Sequence, residues 1–111
     1  MAKLAKISDQ QIRQRLAKLN ASSQNEGRWR REGDALTKEF VLDSFTGATR
    51  FISRIAPIAN AMDHHPDLKL YKYKRVKISL TTHSAGGVTL NDFTLAAKID
   101  KLASKTQPAK K

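Results

Sequence analysis

The spacing of apolar residues along the chain changes repeatedly, and each change predicts a new element. In SDQQIRQRLAKL, residues 8–19, Ile12, Leu16 and Leu19 recur at helical intervals. Ser8 and Gln11 stand at the separation of a capping box, and Ile7 and Ile12 at that of a hydrophobic staple, so an amphipathic helix with a defined start is predicted. NASSQNEG, 20–27, is polar throughout and predicts a loop that ends at Gly27. Two strand-like runs follow, RWRR around Trp29 and ALTKEFVL at 35–42, with Gly33-Asp34 between them as a hairpin turn. In the second run Leu36, Lys38 and Phe40 share one parity and Thr37, Glu39 and Val41 the other.

From Ser44 the intervals return to three and four. Phe45, Ala48, Ile52, Ile55, Ala59 and Met62 form the stripe of a long helix, capped by Asp43 or Ser44, with a kink expected near 53–57 because Pro57 lacks a donor. Beyond Pro66, Leu68 and Leu70, and then Val76, Ile78 and Leu80 against Lys77, Ser79 and Thr81, alternate as in two strands that turn near Lys74-Arg75. SAGGV, 84–88, is a glycine loop. Thr89 opens a last helix in which Phe93, Ala96, Ala97 and Leu102 can face a core. The order helix, strand, strand, helix, strand, strand, helix implies an α+β fold: a four-stranded antiparallel sheet with three helices on one face.

Length and composition narrow the chemistry. The 111 residues suit one domain, expected over 1–104, followed by a basic tail at 105–111 that is expected to be disordered. With no cysteine, disulfides, Cys-ligated metals and thiol catalysis drop out. No apolar run approaches the ~20 residues of a membrane span and MAKLAKIS lacks a signal-peptide core, so a cytoplasmic protein without a membrane partner is expected. Lys and Arg number 21 against 10 Asp and Glu, a net +11 that suits a polyanionic partner. Yet Lys98, Lys101, Lys105, Lys110 and Lys111 crowd the C-terminal end, and Arg28, Arg30, Arg31, Lys69, Lys72, Lys74, Arg75 and Lys77 decorate strands, where cations also guard against aggregation. Nucleic acid is therefore not expected to be the main partner.

Two of the three histidines are adjacent, in DHHP at 63–66. His64 falls near the end of the long helix, while Pro66 pushes His65 toward an extended conformation. The carbonyls at that helix end, and neighbouring Asp63, favour a cationic imidazole. His83 ends a strand on the parity of Lys77, Ser79 and Thr81, away from the core. Three readings are open. The histidines can be unrelated surface or capping residues; they can bind a metal together with Asp63 or Asp92, although their spacing matches no HExxH or finger pattern; or they can form an acid–base site, because imidazole, with an unperturbed pKa of ~6.5, both gives and takes protons near neutrality. Asp92 also stands at capping-box distance from Thr89, so capping competes with a site role, and Gly86-Gly87 suits a tight turn better than a phosphate loop.

The ordered set His64-His65-Pro66, Tyr73, His83 and Asp92, with WRREGDALTKEF upstream and THSAGG downstream, resembles the signature of the pterin-4a-carbinolamine dehydratases over roughly residues 28–102. The resemblance implies a fold of three helices on a four-stranded antiparallel sheet. It implies a hydro-lyase that converts a 4a-hydroxytetrahydropterin to quinonoid dihydropterin and water, in recycling of the pterin used by aromatic amino acid hydroxylases, with no cofactor and no metal. His64, His65 and His83 would be catalytic, and Asp63, Pro66, Thr82, Ser84, Ala85 and Asp92 would bind substrate or orient the rings. A homodimer or homotetramer is implied, and in some members a second role as dimerisation cofactor of a homeodomain transcription factor. A non-catalytic binding module of that kind, or a basic nucleic-acid-binding protein, is the alternative function. The chain departs from the pattern at Asn60, where members often carry glutamate, at Asn91, where some carry arginine, and in a long interval between Pro66 and Tyr73.

Overall fold

The computed structural model describes residues 5–23 and 27–106. Helix α1 spans Asp9–Ser22 behind Ser8, whose hydroxyl accepts from the Gln11 N–H while the Gln11 side chain accepts from the Ser8 N–H, closing the expected capping box. The helix continues through 20–22, into what the polar composition marks as loop. A hairpin follows, β1 (Arg30–Glu32) and β2 (Ala35–Val41), turning at Gly33, whose φ of 62° suits glycine. Trp29 lies just before β1 and is buried.

Helix α2 (Phe45–Met62) is capped by Ser44, whose hydroxyl accepts from the Gly47 N–H, and it runs through Pro57 as one element. Then come β3 (Asp67–Tyr71), β4 (Arg75–Leu80), a short 3-10 turn at His83–Ala85, and α3 (Leu90–Thr106). The β3–β4 turn covers 72–74, with Lys72 and Tyr73 at positive φ, so it includes Lys74 and ends where Arg75 opens β4. Lys105 and Thr106, assigned to the tail, belong to α3; residues 107–111 lie outside the described part.

All strand pairs are antiparallel, in the order β1-β2-β4-β3. Leu36 and Phe40 from β2 and Val76, Ile78 and Leu80 from β4 share one face and one core cluster with Ile12 and Leu19 of α1, Ala48, Phe51 and Ile55 of α2, and Phe93, Ala96, Ile99 and Ala103 of α3. Three helices therefore cover one face of the sheet, and Thr37, Glu39, Lys77 and Lys69 lie on the other, as the α+β reading requires.

Several residues depart from the expected stripes. Phe45, in the expected stripe, is 56 % exposed, whereas Phe51, outside it, is fully buried. On α3, Ala97 is exposed, and Leu95 and Ile99 take the core positions. Lys38, on the core parity of β2, stays there: its ammonium is 2.8 Å from Asp100 Oδ1, beside the Phe40 ring, while the Trp29 indole N–H donates to Asp100 Oδ2 at 3.0 Å. The core thus contains a buried ion pair that ties β2 and α3 to the residue preceding β1.

Candidate active site

The end of α2 places His64. Asp63 closes the helix in the left-handed conformation (φ 51°, ψ 43°), and the His64 N–H reaches back to the Ala59 carbonyl at 3.1 Å, the six-to-one bond of a Schellman ending. The chain reverses there, and the His64 ring turns toward the start of α3. Its Nε2 lies 2.6 Å from Asp92 Oδ1.

Asp92 is held from three sides. Its Oδ2 accepts from the Thr89 N–H and from the Thr82 hydroxyl, each at 2.9 Å, and Oδ1 faces His64. It is fully buried. The capping reading and the site reading are thus both realised, one by each carboxylate oxygen. With Oδ1 accepting, the proton of the neutral His64 ring sits on Nε2, and Nδ1 is left for other work.

His65 is the more exposed ring, and its Nε2 lies 3.0 Å from Asn60 Oδ1, one turn back along α2. Asn60 therefore occupies the place of the missing glutamate with a neutral acceptor, and again Nδ1 is left over. His83 opens the 3-10 turn and is exposed. The Thr82 carbonyl just before it accepts from the N–H groups of Ala85, Gly86 and Gly87 at 3.0, 3.0 and 3.3 Å, with Gly86 at φ 77°.

Other expected site residues fall differently. Asp63 is exposed, and the carboxylate that meets an imidazole is that of Asp92. Asp92, through Oδ1, meets the His64 ring, and the Thr82 hydroxyl donates to its other oxygen. Pro66 and Ala85 are half-buried and Ser84 is exposed. Tyr73, the aromatic of the signature, lies 60 % exposed in the β3–β4 turn. Two hollows formed by described residues, one of about 660 Å³ between α2 and α3 and one of about 280 Å³ on the open face of the sheet, are lined by none of the three histidines. Among the described residues no group of three His, Asp or Glu side chains could hold a metal ion, and no helix is long and apolar enough to cross a membrane.

Residues 5–102 match the family model described as pterin 4 alpha carbinolamine dehydratase. The chain belongs to this family. A relative from Sulfolobus acidocaldarius, named "Putative pterin-4-alpha-carbinolamine dehydratase", is 44% identical over 97 residues, covering 87% of this chain and 98% of its own. One of the same name from Roseiflexus is 40% identical over 97 residues, covering 87% and 96%. A crystal structure of a transcriptional coactivator/pterin dehydratase from Brucella melitensis superposes with a TM-score of 0.77 at 29% identity over 88% of this chain and 98% of that one. A pterin dehydratase-like protein identified as a RuBisCO assembly factor in the alpha-carboxysome shares the fold, with a TM-score of 0.57 at 22% identity over 72% and 92%.

Within a pterin dehydratase family member, the Asn60–His65 contact was readable as a substitution but not as a hydrogen bond. Thr89 was readable as a cap, but its hydroxyl, 2.8 Å from that of Thr82, gave no sign in spacing of reaching the strand end.

Proposed function

We propose that this protein dehydrates a 4a-hydroxytetrahydropterin to the quinonoid dihydropterin by histidine acid–base chemistry. The observation that carries the reading is the buried Asp92 carboxylate fixed on His64, with a second ring fixed by Asn60 and a third on the turn that follows Thr82. An imidazole whose Nε2–H is spent on a carboxylate keeps a defined tautomer and orientation, as a proton-transferring ring must. In the reaction the C4a–O bond breaks: the hydroxyl leaves with one added proton as water, the N5 lone pair forms the N5=C4a double bond, and a ring nitrogen gives a proton to a base. Proton given and proton taken balance, so no electron leaves the pterin. Nδ1 of His64 and of His65 are the atoms available for these transfers, with His83 as the third ring; Pro66, Ser84 and Ala85 would flank the pterin.

The test is to supply the 4a-carbinolamine and follow its ultraviolet spectrum with EDTA present. A rate well above the spontaneous one supports the reading, and a rate equal to it with folded protein rejects it. Single replacement of His64, His65 or His83 by alanine should each lower kcat, by ~10²-fold for a ring acting as general acid or base.

The assembly is proposed to be a homodimer or homotetramer within the cytoplasm, and light scattering showing only monomer would remove that proposal. A coactivator role like the one in the name of the Brucella melitensis protein rests on that likeness alone.

A further inference from the structure

Thr82 is the point where two of the three histidines are tied to one residue. Its hydroxyl has a single proton. Asp92 Oδ2, a carboxylate oxygen 2.9 Å away, only accepts, so that proton goes there. The contact between the Thr82 and Thr89 hydroxyls, 2.8 Å, must then run the other way, with Thr89 donating. The direction of the whole chain follows: Thr89 O–H to Thr82, Thr82 O–H to Asp92, and on the other carboxylate oxygen the His64 Nε2–H. Thr89 and Asp92 are fully buried and Thr82 is half-buried, and hydrogen bonds in series polarise one another. On its backbone side the same residue accepts three N–H groups from the turn that begins at His83, and its own N–H donates to the Gly87 carbonyl at 3.0 Å.

We infer that Thr82 is a positioning residue: its hydroxyl sets the orientation of Asp92 and through it the tautomer of His64, while its carbonyl sets the turn that presents His83. The inference rests on the acid–base reading for its consequence in turnover, but its geometric part stands without it. The role belongs to the hydroxyl: valine matches threonine in shape and lacks the donor, whereas serine keeps it.

The experiment is ¹⁵N NMR of the three imidazoles in the full-length protein, recorded at a pH where the ring signals no longer move, together with kcat and KM. In the wild type His64 should show one tautomer, protonated at Nε2. Thr82→Val should turn this into a mixture and leave His65 and His83 unmoved, because His65 depends on Asn60 and the His83 turn depends on a carbonyl that valine retains. Dehydration should lose ~10-fold in kcat with KM within about twofold, and Thr82→Ser should restore both readouts. An unchanged His64 signal in Thr82→Val overturns the inference, and so does equal movement of all three rings, which marks general loosening. If Thr82→Val does not fold, Thr89→Val, which removes only the far donor, should still broaden the His64 tautomer signals, and their persistence as one sharp set overturns it. Absence of dehydration by the wild type would reject the acid–base reading while the NMR still decides the positioning role.

Discussion

Asn60 shows how much chemistry hangs on one substituent. Its amide oxygen lies 3.0 Å from His65 Nε2 but carries no charge. Asn60→Asp keeps the size and adds the charge, and a charge-assisted bond is roughly twice as strong as a neutral one. The prediction is that the limb of the pH–rate profile belonging to His65 moves to higher pH in this variant, with Asn60→Ala lowering kcat instead; identical profiles for all three proteins would mean that His65 does not titrate in turnover. On the open face of the sheet, Glu39 and Tyr71 form a second pair with a definite pH signature. The Tyr71 hydroxyl donates to Glu39, which holds that carboxyl below its ordinary value of 4.5 and the phenol above 10.0. A carboxyl lowered by folding contributes stability above its unfolded value and loses it as pH falls through the folded one. A phenol raised by folding contributes below its unfolded value and loses it as pH rises through the folded one. The pair therefore contributes fully between about 4.5 and 10, and a titration of Tyr71 at 295 nm should fall toward the ordinary phenol value in Glu39→Gln.

Elements were legible where their signal is local, and the misplacements have physical causes. Caps, turns and alternation depend on residues a few positions apart, and α1, α2, the hairpin and the β3–β4 alternation are where the pattern puts them. A stripe says which face of a helix is apolar, not how far its neighbours extend to cover it. Phe45, at the first position of α2, is therefore exposed while Phe51 is enclosed. Long contacts leave no periodic trace: Lys38 meets Asp100 from 62 residues away and His64 meets Asp92 from 28, so the signature gave the site residues but not which carboxylate serves which ring. The end of α2 tests this directly. Asp63 stands where helices commonly carry glycine, in a conformation that burdens a residue with a Cβ. Asp63→Gly should raise stability by ~1 kcal/mol in urea unfolding and leave kcat unchanged if the residue only ends the helix. A drop in kcat with stability raised would restore to Asp63 the role of charging an imidazole.

At the scale of the whole molecule the core and the charge balance make opposite demands. The core holds an ion pair whose two side chains are 0% and 8% exposed, and removing one partner of such a pair costs ~3–5 kcal/mol because the other charge stays buried without its counter-charge. Lys38→Met should therefore lower stability by that order, and Lys38→Met with Asp100→Leu should recover most of it, short of the ~1–3 kcal/mol left by the Trp29 N–H losing its acceptor. Outside, 21 cations face 10 anions. The described surface ion pairs, Arg31–Asp9, Arg75–Glu39 and Lys77–Glu32, are each worth ~0–1 kcal/mol, and the excess cations repel one another across the surface. Raising the salt from 0.01 to 0.1 M shortens the screening length from ~30 to ~10 Å, which weakens repulsion across the surface while contacts of 2.7–3.4 Å keep most of their attraction. Tm should accordingly rise with sodium chloride over this range. A falling Tm would mean that the close pairs, not the net charge of +11, govern the electrostatics of the fold.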